Sequence, residues 1–345
     1  KKFEQSTTFS FTDTDGEINE KTLIIGNNGS GKSSILQAIV CVIASATREN
    51  FTPESLDWAG YEFRHLQTGN LPLQIEAEVL FSDEEISTTQ QYANKLREMG
   101  MRLGTPPAQH HTVTLYLDFQ THRVRARESL AAFNQFSGYQ YAKNLASIST
   151  NKISLFENVG NIYWYTEQRN SYSLSNLLPT ELPQIDFIRA FLANAYSYHL
   201  AVKRGERTIR EGEFDFYDRL QTMYSKVFTG RTFVGTTPRF DIYEQSKVPD
   251  FFLSDGHNQY ELSGMSAGAR AIFPMLMDFA RWNINNSIII IDEAELHLHP
   301  PLQQTLIRVL TQLGNNNQFI FTTHSNSVTS MFDELENQII RLPNG

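Results

Sequence analysis

The sequence contains a single cysteine, Cys41, so no disulfide framework can form within one chain. It also has no apolar run near the roughly 20 residues of a membrane span. The longest such run is Ala38–Ala44. No secretory apolar segment lies near the start of the sequence. These absences argue against a disulfide-rich secreted domain and a membrane-spanning protein, and they predict a cytoplasmic protein with no membrane partner.

Basic residues are also in the minority: 29 Lys and Arg stand against 38 Asp and Glu, for a net charge of −9. This balance disfavours a protein coated in basic residues for binding phosphate backbones. The charge balance does not exclude a local basic groove, so nucleic acid remains a possible partner. The candidate residues for such a groove are Arg48, Arg64, Arg123, Arg125, Arg127, Lys203, Arg204, Arg207 and Arg210.

The 345 residues suffice for one large α/β domain or two smaller ones, and they contain no internal repeat, low-complexity tract or long heptad run. Apolar periodicity and cap residues predict an alternation of strands and helices. The predicted strands are Lys1–Phe11, Leu73–Phe81, Thr112–Asp118, Asn161–Tyr165, short strands within 231–262, Ser287–Asp292, Gln318–Thr323 and Gln338–Leu342. The predicted helices are Ser82–Met99, a helical region at 183–228, Ser266–Asn283, Pro300–Leu313 and Ser325–Met331. Because the first residue is not Met, we expect that a few residues precede Lys1, and a further domain could follow Gly345.

The strongest motif is GNNGSGKS at Gly26–Ser33, which fits the phosphate-binding P-loop. A short apolar strand, Lys21–Ile25, precedes it, and an apolar helix, Ser34–Ala46, follows it. Backbone N–H groups of such a loop face phosphates, while its lysine reaches the β and γ phosphates and its serine holds Mg²⁺. The alternative is a Gly/Ser turn that matches by chance. The motif predicts ATP and Mg²⁺ as ligands, with the nucleotide held by Gly26, Asn27, Asn28, Gly29, Ser30, Gly31, Lys32, Ser33 and Ser34.

A second part of the same site is predicted where the apolar strand Ser287–Asp292 ends in two acids. The carboxyl end of a strand in an α/β sheet opens on the ligand crevice. Asp292 would there hold Mg²⁺ opposite Ser33, and Glu293 would act as general base toward the attacking water.

The tract Tyr260–Arg270 resembles the signature turn of ABC-type ATPases, which opens a helix. It allows two registers, Ser263-Gly264 and Ser266-Ala-Gly268. We favour the second, because Ser266 directly caps the helix and Arg270 then falls on the motif's usual polar position. In this register the resemblance assigns Ser266, Gly268 and Arg270 to nucleotide binding.

The same family resemblance implies two further site residues. His324 follows the strand Gln318–Thr323, where a family histidine contacts the γ-phosphate and helps to orient the water. Gln168 follows the predicted strand Asn161–Tyr165, at a place where a family glutamine reaches Mg²⁺ and the attacking water. Gln67 and Gln74 compete for this assignment.

The tract Ala294–Pro300 resembles the SMC/RecF/OLD branch of these ATPases and not the membrane transporters. The resemblance covers essentially the whole chain. It implies an α/β P-loop NTPase head with a mixed or antiparallel β lobe and a helical subdomain. Glu295, His297 and His299 could alternatively be metal ligands, although we favour packing or dimer-face roles. The implied single head has core halves at 1–82 and 231–345, an inserted strand and helix region at 83–165, and a helical subdomain at 166–230.

Members of this family bind two ATP molecules between two heads, so the resemblance implies a homodimer of heads held together by ATP. The 345 residues include no long coiled coil and end before any acidic cluster of the kind that a nuclease domain carries. It therefore resembles stand-alone ATPases of bacterial anti-phage systems, which implies an ATP-hydrolysing sensor or scaffold that controls a separately encoded effector such as a nuclease. The alternatives are a RecF/SMC-like DNA-repair ATPase that clamps DNA, a binding module that holds nucleotide as a structural ligand, and a transporter ATPase.

Overall fold

The structure is a computed structural model that describes residues 6–47, 74–118, 123–148, 154–165, 171–173, 184–210, 213–237, 248–296, 298–333 and 338–343. In these ranges the strands are β1 (Lys21–Ile25), β2 (Gln74–Leu80), β3 (Thr112–Asp118), β4 (Arg123–Ala126), β5 (Ile162–Tyr165), β6 (Ser171–Ser173), β7 (Thr232–Thr237), β8 (Asp250–Ser254), β9 (Gln259–Glu261), β10 (Ile288–Ile291), β11 (Gln318–Thr322) and β12 (Ile339–Arg341).

The α-helices of the same ranges are α1 (Lys32–Thr47), α2 (Asp83–Glu98), α3 (Leu130–Phe133), α4 (Gly138–Ile148), α5 (Gln184–Lys203), α6 (Phe216–Val227), α7 (Ala267–Trp282), α8 (Pro300–Leu310) and α9 (Asn326–Thr329). Short 3₁₀ turns cover Asn134–Ser137, Ser154–Phe156 and Leu262–Gly264. None of the helices in the described part of the chain combines the length and the apolar composition that a membrane crossing requires.

A six-stranded sheet in the order β12-β1-β11-β10-β5-β6 forms the centre of the fold. Its first five strands run parallel, and β6 pairs with β5 in the antiparallel sense. Such strands are buried on both faces, which explains why β10 is an unbroken run of four isoleucines. The predicted α/β fold is confirmed, and the structure adds that the central sheet is mainly parallel.

The two faces of the sheet bury two separate apolar clusters, because successive side chains of a strand point to opposite faces. In β10, Ile289 and Ile291 belong to the cluster that includes residues of α6, α7 and α8. Ile290 belongs to the other cluster, which includes residues of α1 and the antiparallel strand β3. The helix after the P-loop is thus fixed to one face of the sheet, and the helix after Ser266 is fixed to the other.

Two small antiparallel sheets, β2-β3-β4 and β7-β8-β9, complete the described architecture. The first packs on α1, with Val113, Leu115 and Leu117 buried in the same cluster. The predicted strands at 73–81 and 112–118 are confirmed as its first two members within the described residues.

The helix predicted at Ser82–Met99 is found as α2, and local sequence explains both of its ends. The Ser82 hydroxyl accepts a hydrogen bond from the backbone N–H of Glu85 at 3.2 Å. Acidic residues occupy the first turn, and Lys95 and Arg97 occupy the last, so both ends complement the helix dipole.

The strand predicted at Lys1–Phe11 is wrong over residues 6–11, which form no strand. Phe9 and Phe11 nevertheless pack against the cluster on the α1 side of the sheet. The alternating pattern therefore indicated correctly that these side chains are partly buried. It could not indicate whether a neighbouring strand is available for hydrogen bonding. An isolated bridge between Thr12 and Ile18 follows this segment.

Candidate functional site

Three segments of the predicted site begin where neighbouring parallel strands end. β11 lies between β1 and β10, with Ile24 of β1 beside Thr322 of β11. The P-loop follows β1, Asp292 follows β10, and His324 comes two residues after β11. Because the carboxyl ends of parallel strands open on one crevice, the three segments share one edge of the sheet.

The P-loop turns back on itself between β1 and α1. Gly29 and Gly31 have φ angles of 81° and 105°, which residues with a Cβ rarely adopt. The Ser30 N–H donates to the carbonyl oxygen of Asn27 at 3.0 Å and closes the turn. The exposed residues among those predicted to hold the nucleotide lie at the tip of the loop and in the first turn of α1, and they are Asn27, Asn28, Gly29, Ser33 and Ser34.

Lys32 joins the P-loop to the segment after β11. Its side chain is 7% exposed, and its Nζ donates to the carbonyl oxygens of Gly26 at 2.8 Å and Asn27 at 3.2 Å. Nζ also lies 2.8 Å from Nε2 of His324. Because an ammonium group can only donate, Nε2 accepts this hydrogen bond, and the ring proton of a neutral His324 is then on Nδ1.

Asp292 and Glu293 are fixed to β11 by one threonine. The Thr322 hydroxyl donates to Oδ1 of the buried Asp292 and accepts from the backbone N–H of Glu293 at 2.8 Å. Asp292 is also anchored to β5, because its own N–H donates to the carbonyl oxygen of Tyr165 at 2.9 Å.

The backbone of Glu293 has a φ of 47°, in the left-handed region that non-glycine residues seldom occupy. Strain of this kind persists only where surrounding contacts enforce it, and it concentrates at functional sites. Here the enforcing contacts include the Thr322 hydroxyl and the hydrogen bond from the Ala294 N–H to the Thr322 carbonyl at 3.0 Å. The backbone turns at the predicted base and then returns to the end of β11.

A carboxylate beyond this turn contacts the predicted histidine segment. Oε2 of Glu295 accepts from the Thr323 hydroxyl at 2.6 Å, and Oε1 accepts from the backbone N–H of His324 at 2.5 Å. The Thr323 oxygen in turn accepts from the Ser325 N–H at 3.0 Å. The segments after β10 and β11 are therefore joined a second time.

The metal-site alternative at Glu295, His297 and His299 finds no support in the part of the site that is described. The Glu295 oxygens make the hydrogen bonds just given, and His299 is exposed at the start of α8. His297 lies outside the described residues. Across the described ranges, no group of three or more His, Cys, Asp and Glu side chains is arranged to hold a metal ion.

The tract Tyr260–Arg270, whose signature role stays a prediction, leads into α7. Ser266 is the N-cap, and its hydroxyl accepts from the Ala269 N–H at 3.4 Å. Arg270 is exposed, and one of its Nη atoms donates to the carbonyl oxygen of Met265 at 3.0 Å. Gly268 is buried in the first turn of the helix, whereas Ser263 lies in the preceding 3₁₀ turn.

The glutamine assignment lies mostly beyond what the structure describes. Gln168 and its competitor Gln67 are both outside the described residues. The third candidate, Gln74, is exposed at the start of β2 in the antiparallel sheet. Gln168 would follow β5, the neighbour of β10 in the sheet, and its role stays a prediction.

The donor set at this edge fits a magnesium–triphosphate. Hydroxyl and carboxylate oxygens such as those of Ser33 and Asp292 are the ligands that Mg²⁺ prefers. The N–H groups of a glycine loop and of a helix N-terminus suit phosphate oxygens, as does the Lys32 ammonium. The Ser30 hydroxyl oxygen is buried in the loop, with no protein hydrogen-bond partner among the described residues. A phosphate oxygen is a partner that would satisfy it.

Sequence reasoning missed Thr322 and Thr323, which hold the predicted residues together, and it considered Glu295 only for metal-ligand, packing or dimer-face roles. Their signal in the sequence is slight: two threonines end the strand before His324, and one more acid follows Glu293 after a single alanine. Hydroxyl and carboxylate groups at the ends of adjacent strands could have been proposed as partners, but only with the strand order in hand.

Two family models match separate stretches of the chain. A model of the AAA ATPase domain family matches residues 136–329, more than half of the chain, and a model of the P-loop containing region of the AAA domain matches residues 6–55. Among curated proteins, the chain is 33% identical over 108 residues to the "Retron Ec83 probable ATPase" of Escherichia coli, covering 28% of this chain and 20% of that protein. It is 32% identical over 108 residues to the "Retron Vc95 probable ATPase" of Vibrio cholerae serotype O1 biovar El Tor, with the same coverage. The alignments thus span about a fifth of the length of these relatives.

Solved structures matched in the comparison include an SMC head domain from Thermotoga maritima, at 18% identity and a TM-score of 0.40, covering 94% of this chain and 90% of that one. They also include an SmcHead bound to the C-winged helix domain of ScpA, at 14% identity and a TM-score of 0.44, covering 90% of this chain and 84% of that one.

Proposed function

Because the chain belongs to the AAA ATPase domain family, we propose that it binds ATP with Mg²⁺ and hydrolyses the nucleotide at the edge where the P-loop, Asp292 and His324 meet. The observation that carries this proposal is the 2.8 Å contact between Nζ of Lys32 and Nε2 of His324. It joins the phosphate-binding motif at the start of the chain to a segment that follows it by almost 300 residues.

We assign phosphate binding to Lys32 and the backbone N–H groups of the P-loop. The Ser33 hydroxyl and the Asp292 carboxylate would hold Mg²⁺. When bound, this ion supplies positive charge that offsets the charge developing on the phosphate oxygens. Thr322 keeps the Asp292 carboxylate in place by donating to Oδ1.

Glu293 is the proposed general base, which would accept a proton from the attacking water. Its left-handed backbone, with a φ of 47°, fixes the direction in which the side chain leaves the turn. His324 is proposed to contact the γ-phosphate and to orient the same water.

We further propose that two heads pair symmetrically around ATP, with Ser266, Gly268 and Arg270 of one head facing the P-loop of the other. The exposure of Ser266 and of the P-loop tip at Asn27–Gly29 supports this arrangement, because both surfaces must be accessible to a second head. Ser266 also supplies a capped helix N-terminus, which favours anions.

The proposed biological role is control of a separately encoded effector, for which a nuclease is the leading candidate, in prokaryotic anti-phage defence. Two similar curated proteins carry the word retron in their names, which supports a defence setting. The effector would be held or released according to the nucleotide state of the heads.

ATP turnover by purified variants tests the proposed activity. We expect Lys32→Ala to abolish measurable hydrolysis and nucleotide binding, because it removes the phosphate-binding ammonium. Glu293→Gln should retain binding but lose at least about a hundredfold in kcat, because it removes the proposed proton acceptor. Lys95→Ala, at an exposed lysine of α2, is the matched control. Hydrolysis that persists unchanged in Glu293→Gln would contradict the assigned base.

A DNA-clamping ATPase is a second candidate, favoured by one surface. Arg123 and Arg125 are exposed and alternate with less exposed residues along β4. β4 is an edge strand of the sheet β2-β3-β4. Arg127 continues the row, but its Nη2 already contacts Glu76 at 2.9 Å. If this surface binds duplex DNA, replacing Arg123 and Arg125 with glutamine should weaken binding at low salt and reduce its salt dependence. If the wild-type protein binds no duplex DNA at low salt, the clamp function is excluded.

A further inference from the structure

We propose that Glu295 is a positioning residue for ATP hydrolysis, which holds His324 against the P-loop lysine; this inference rests on the proposed function. Glu295 is partly buried, and each of its carboxylate oxygens accepts one hydrogen bond from the segment after β11. The two donors are the Thr323 hydroxyl and the His324 backbone N–H.

His324 lies on a short connection between two elements, so hydrogen bonds to its backbone bear directly on where its ring lies. Its side chain is exposed, and it lies between the end of β11 and the short helix α9. Hydrogen bonds to an ionised carboxylate are about twice as strong as those between neutral groups. Holding the His324 N–H and its neighbour Thr323 therefore fixes the backbone from which the imidazole reaches Nζ of Lys32 at 2.8 Å.

Glu295 is itself rigidly placed by the turn that carries the proposed base. The Leu296 N–H donates to the Glu293 carbonyl at 2.9 Å, and the Leu298 N–H donates to the Glu295 carbonyl at 3.0 Å. The Thr322 hydroxyl fixes the start of the same turn at the Glu293 N–H. Glu293 and His324, the two residues proposed to act on water, thus belong to one hydrogen-bonded unit that is joined through both Glu295 and Thr322. A positioning residue of this kind changes turnover more than it changes nucleotide binding.

Steady-state hydrolysis by the full chain provides the first test. We expect Glu295→Ala to lower kcat at least about tenfold while KM for ATP stays within about twofold. Glu295→Gln keeps one acceptor oxygen, so its kcat should lie between those of Glu295→Ala and wild type. Glu84→Ala, at an exposed glutamate of α2, should match wild type. An unchanged kcat in Glu295→Ala, or a loss confined to KM, overturns the proposal.

A double-mutant comparison tests whether Glu295 acts through His324. In a His324→Ala background, we expect Glu295→Ala to cause no further loss of kcat, since the group that it positions is gone. A loss as large as that in the wild-type background overturns the proposal. Thr323→Val removes the hydroxyl that donates to Glu295 and should lower kcat, as Glu295→Ala does. Thr323→Ser keeps the hydroxyl and should have a kcat close to that of wild type.

Amide hydrogen exchange separates this proposal from the proposed ATPase activity, because it needs no turnover. The His324 amide should exchange at least about tenfold faster in Glu295→Ala than in wild type, while Glu84→Ala leaves its rate unchanged. If wild type fails to hydrolyse ATP but shows this dependence, the proposed function falls and the support of His324 by Glu295 stands. Equal exchange rates in Glu295→Ala and wild type overturn the support itself.

Discussion

Glu85 lies in the first turn of α2, where Oε1 accepts a hydrogen bond from the backbone N–H of Gly160 at 3.0 Å. The carboxylate thereby ties the helix to the segment that leads into β5. Burial raises the pKa of Glu85 from 4.5 to about 7, although the Gly160 hydrogen bond acts in the opposite direction. At neutral pH this single side chain is thus close to its own midpoint of ionisation.

The raised pKa of Glu85 predicts a pH-dependent stability. Between pH 4.5 and about 7 the folded protein keeps a proton that the unfolded chain has released, so the free energy of unfolding falls as the pH rises through this window. The loss amounts to at most about 3 kcal/mol for this shift. Urea unfolding at pH 5 and pH 8 measures it. Glu85→Gln stays neutral and keeps an acceptor oxygen, so it should lose less stability between the two pH values.

The control for this comparison is Glu84→Gln, because Glu84 is an exposed neighbour in the same helical turn. It should follow the wild-type pH dependence. If the free energy of unfolding changes with pH by the same amount in wild type and in Glu85→Gln, ionisation of Glu85 is not the cause of the change.

At the scale of elements, α5 is joined by a salt bridge to β9, the strand that precedes the Ser266 turn. Nε of Arg189 donates to Oε1 of Glu261 at 2.8 Å, and Nη1 donates to Asp186 at 2.7 Å. Glu261 also accepts a hydrogen bond from the Ser263 N–H at 2.7 Å. Burial alone would raise the pKa of Glu261, but these contacts with Arg189 and Ser263 outweigh it and lower the pKa to about 2.

Removing either charge of this pair should therefore destabilise the protein. The Arg189 and Glu261 side chains are only 12% and 18% exposed, so a charge left alone there is poorly solvated. We expect Arg189→Ala to cost about 2 kcal/mol in urea unfolding at pH 7. The double variant Arg189→Ala/Glu261→Gln should cost less than the sum of the single ones.

Arg204→Ala removes an exposed arginine just after the same helix and should change stability by less than about 0.5 kcal/mol. Additive costs in the double variant would show that the two side chains do not stabilise each other.

Elements whose signals are local in sequence agree best between prediction and structure. The helix predicted at Ser266–Asn283 is found at Ala267–Trp282, because a serine caps its start and Asn283, with a φ of 46°, ends it in the left-handed conformation. The strand predicted at Lys1–Phe11 is wrong over residues 6–11 because pairing depends on a distant partner, which alternation alone cannot specify.

The candidate site divides in the same way. Lys32 is predicted from the P-loop motif, Asp292 from the apolar strand that ends in two acids, and His324 from the family resemblance. The links through Thr322 and Glu295 depend on β10 and β11 being neighbours, with Ile291 beside Phe321. Residues some thirty positions apart meet only when that register is set, so these contacts could not be predicted from the sequence.

At the scale of the whole molecule, the helices that follow the two proposed anion-binding turns pack on opposite faces of the central sheet. α1 follows the P-loop and packs on one apolar cluster, whereas α7 follows Ser266 and packs on the other. A nucleotide at the P-loop would therefore complete its contacts with a Ser266 turn from a second chain more readily than with its own. This arrangement supports the proposed symmetric pairing of heads.

The pairing predicts a mass change that depends on nucleotide and on Ser266. We expect Glu293→Gln, which should hold ATP without hydrolysing it, to double in mass from 39.5 kDa when ATP and Mg²⁺ are added. Adding Ser266→Arg to that variant should abolish the doubling, because a long side chain would occupy the surface where the partner's nucleotide meets the turn. Ser147→Arg, at an exposed position of α4, should leave the doubling intact. ATP binding measured in parallel separates lost pairing from lost folding. A Ser266→Arg variant that still binds ATP and still doubles in mass would show that the heads pair through another surface.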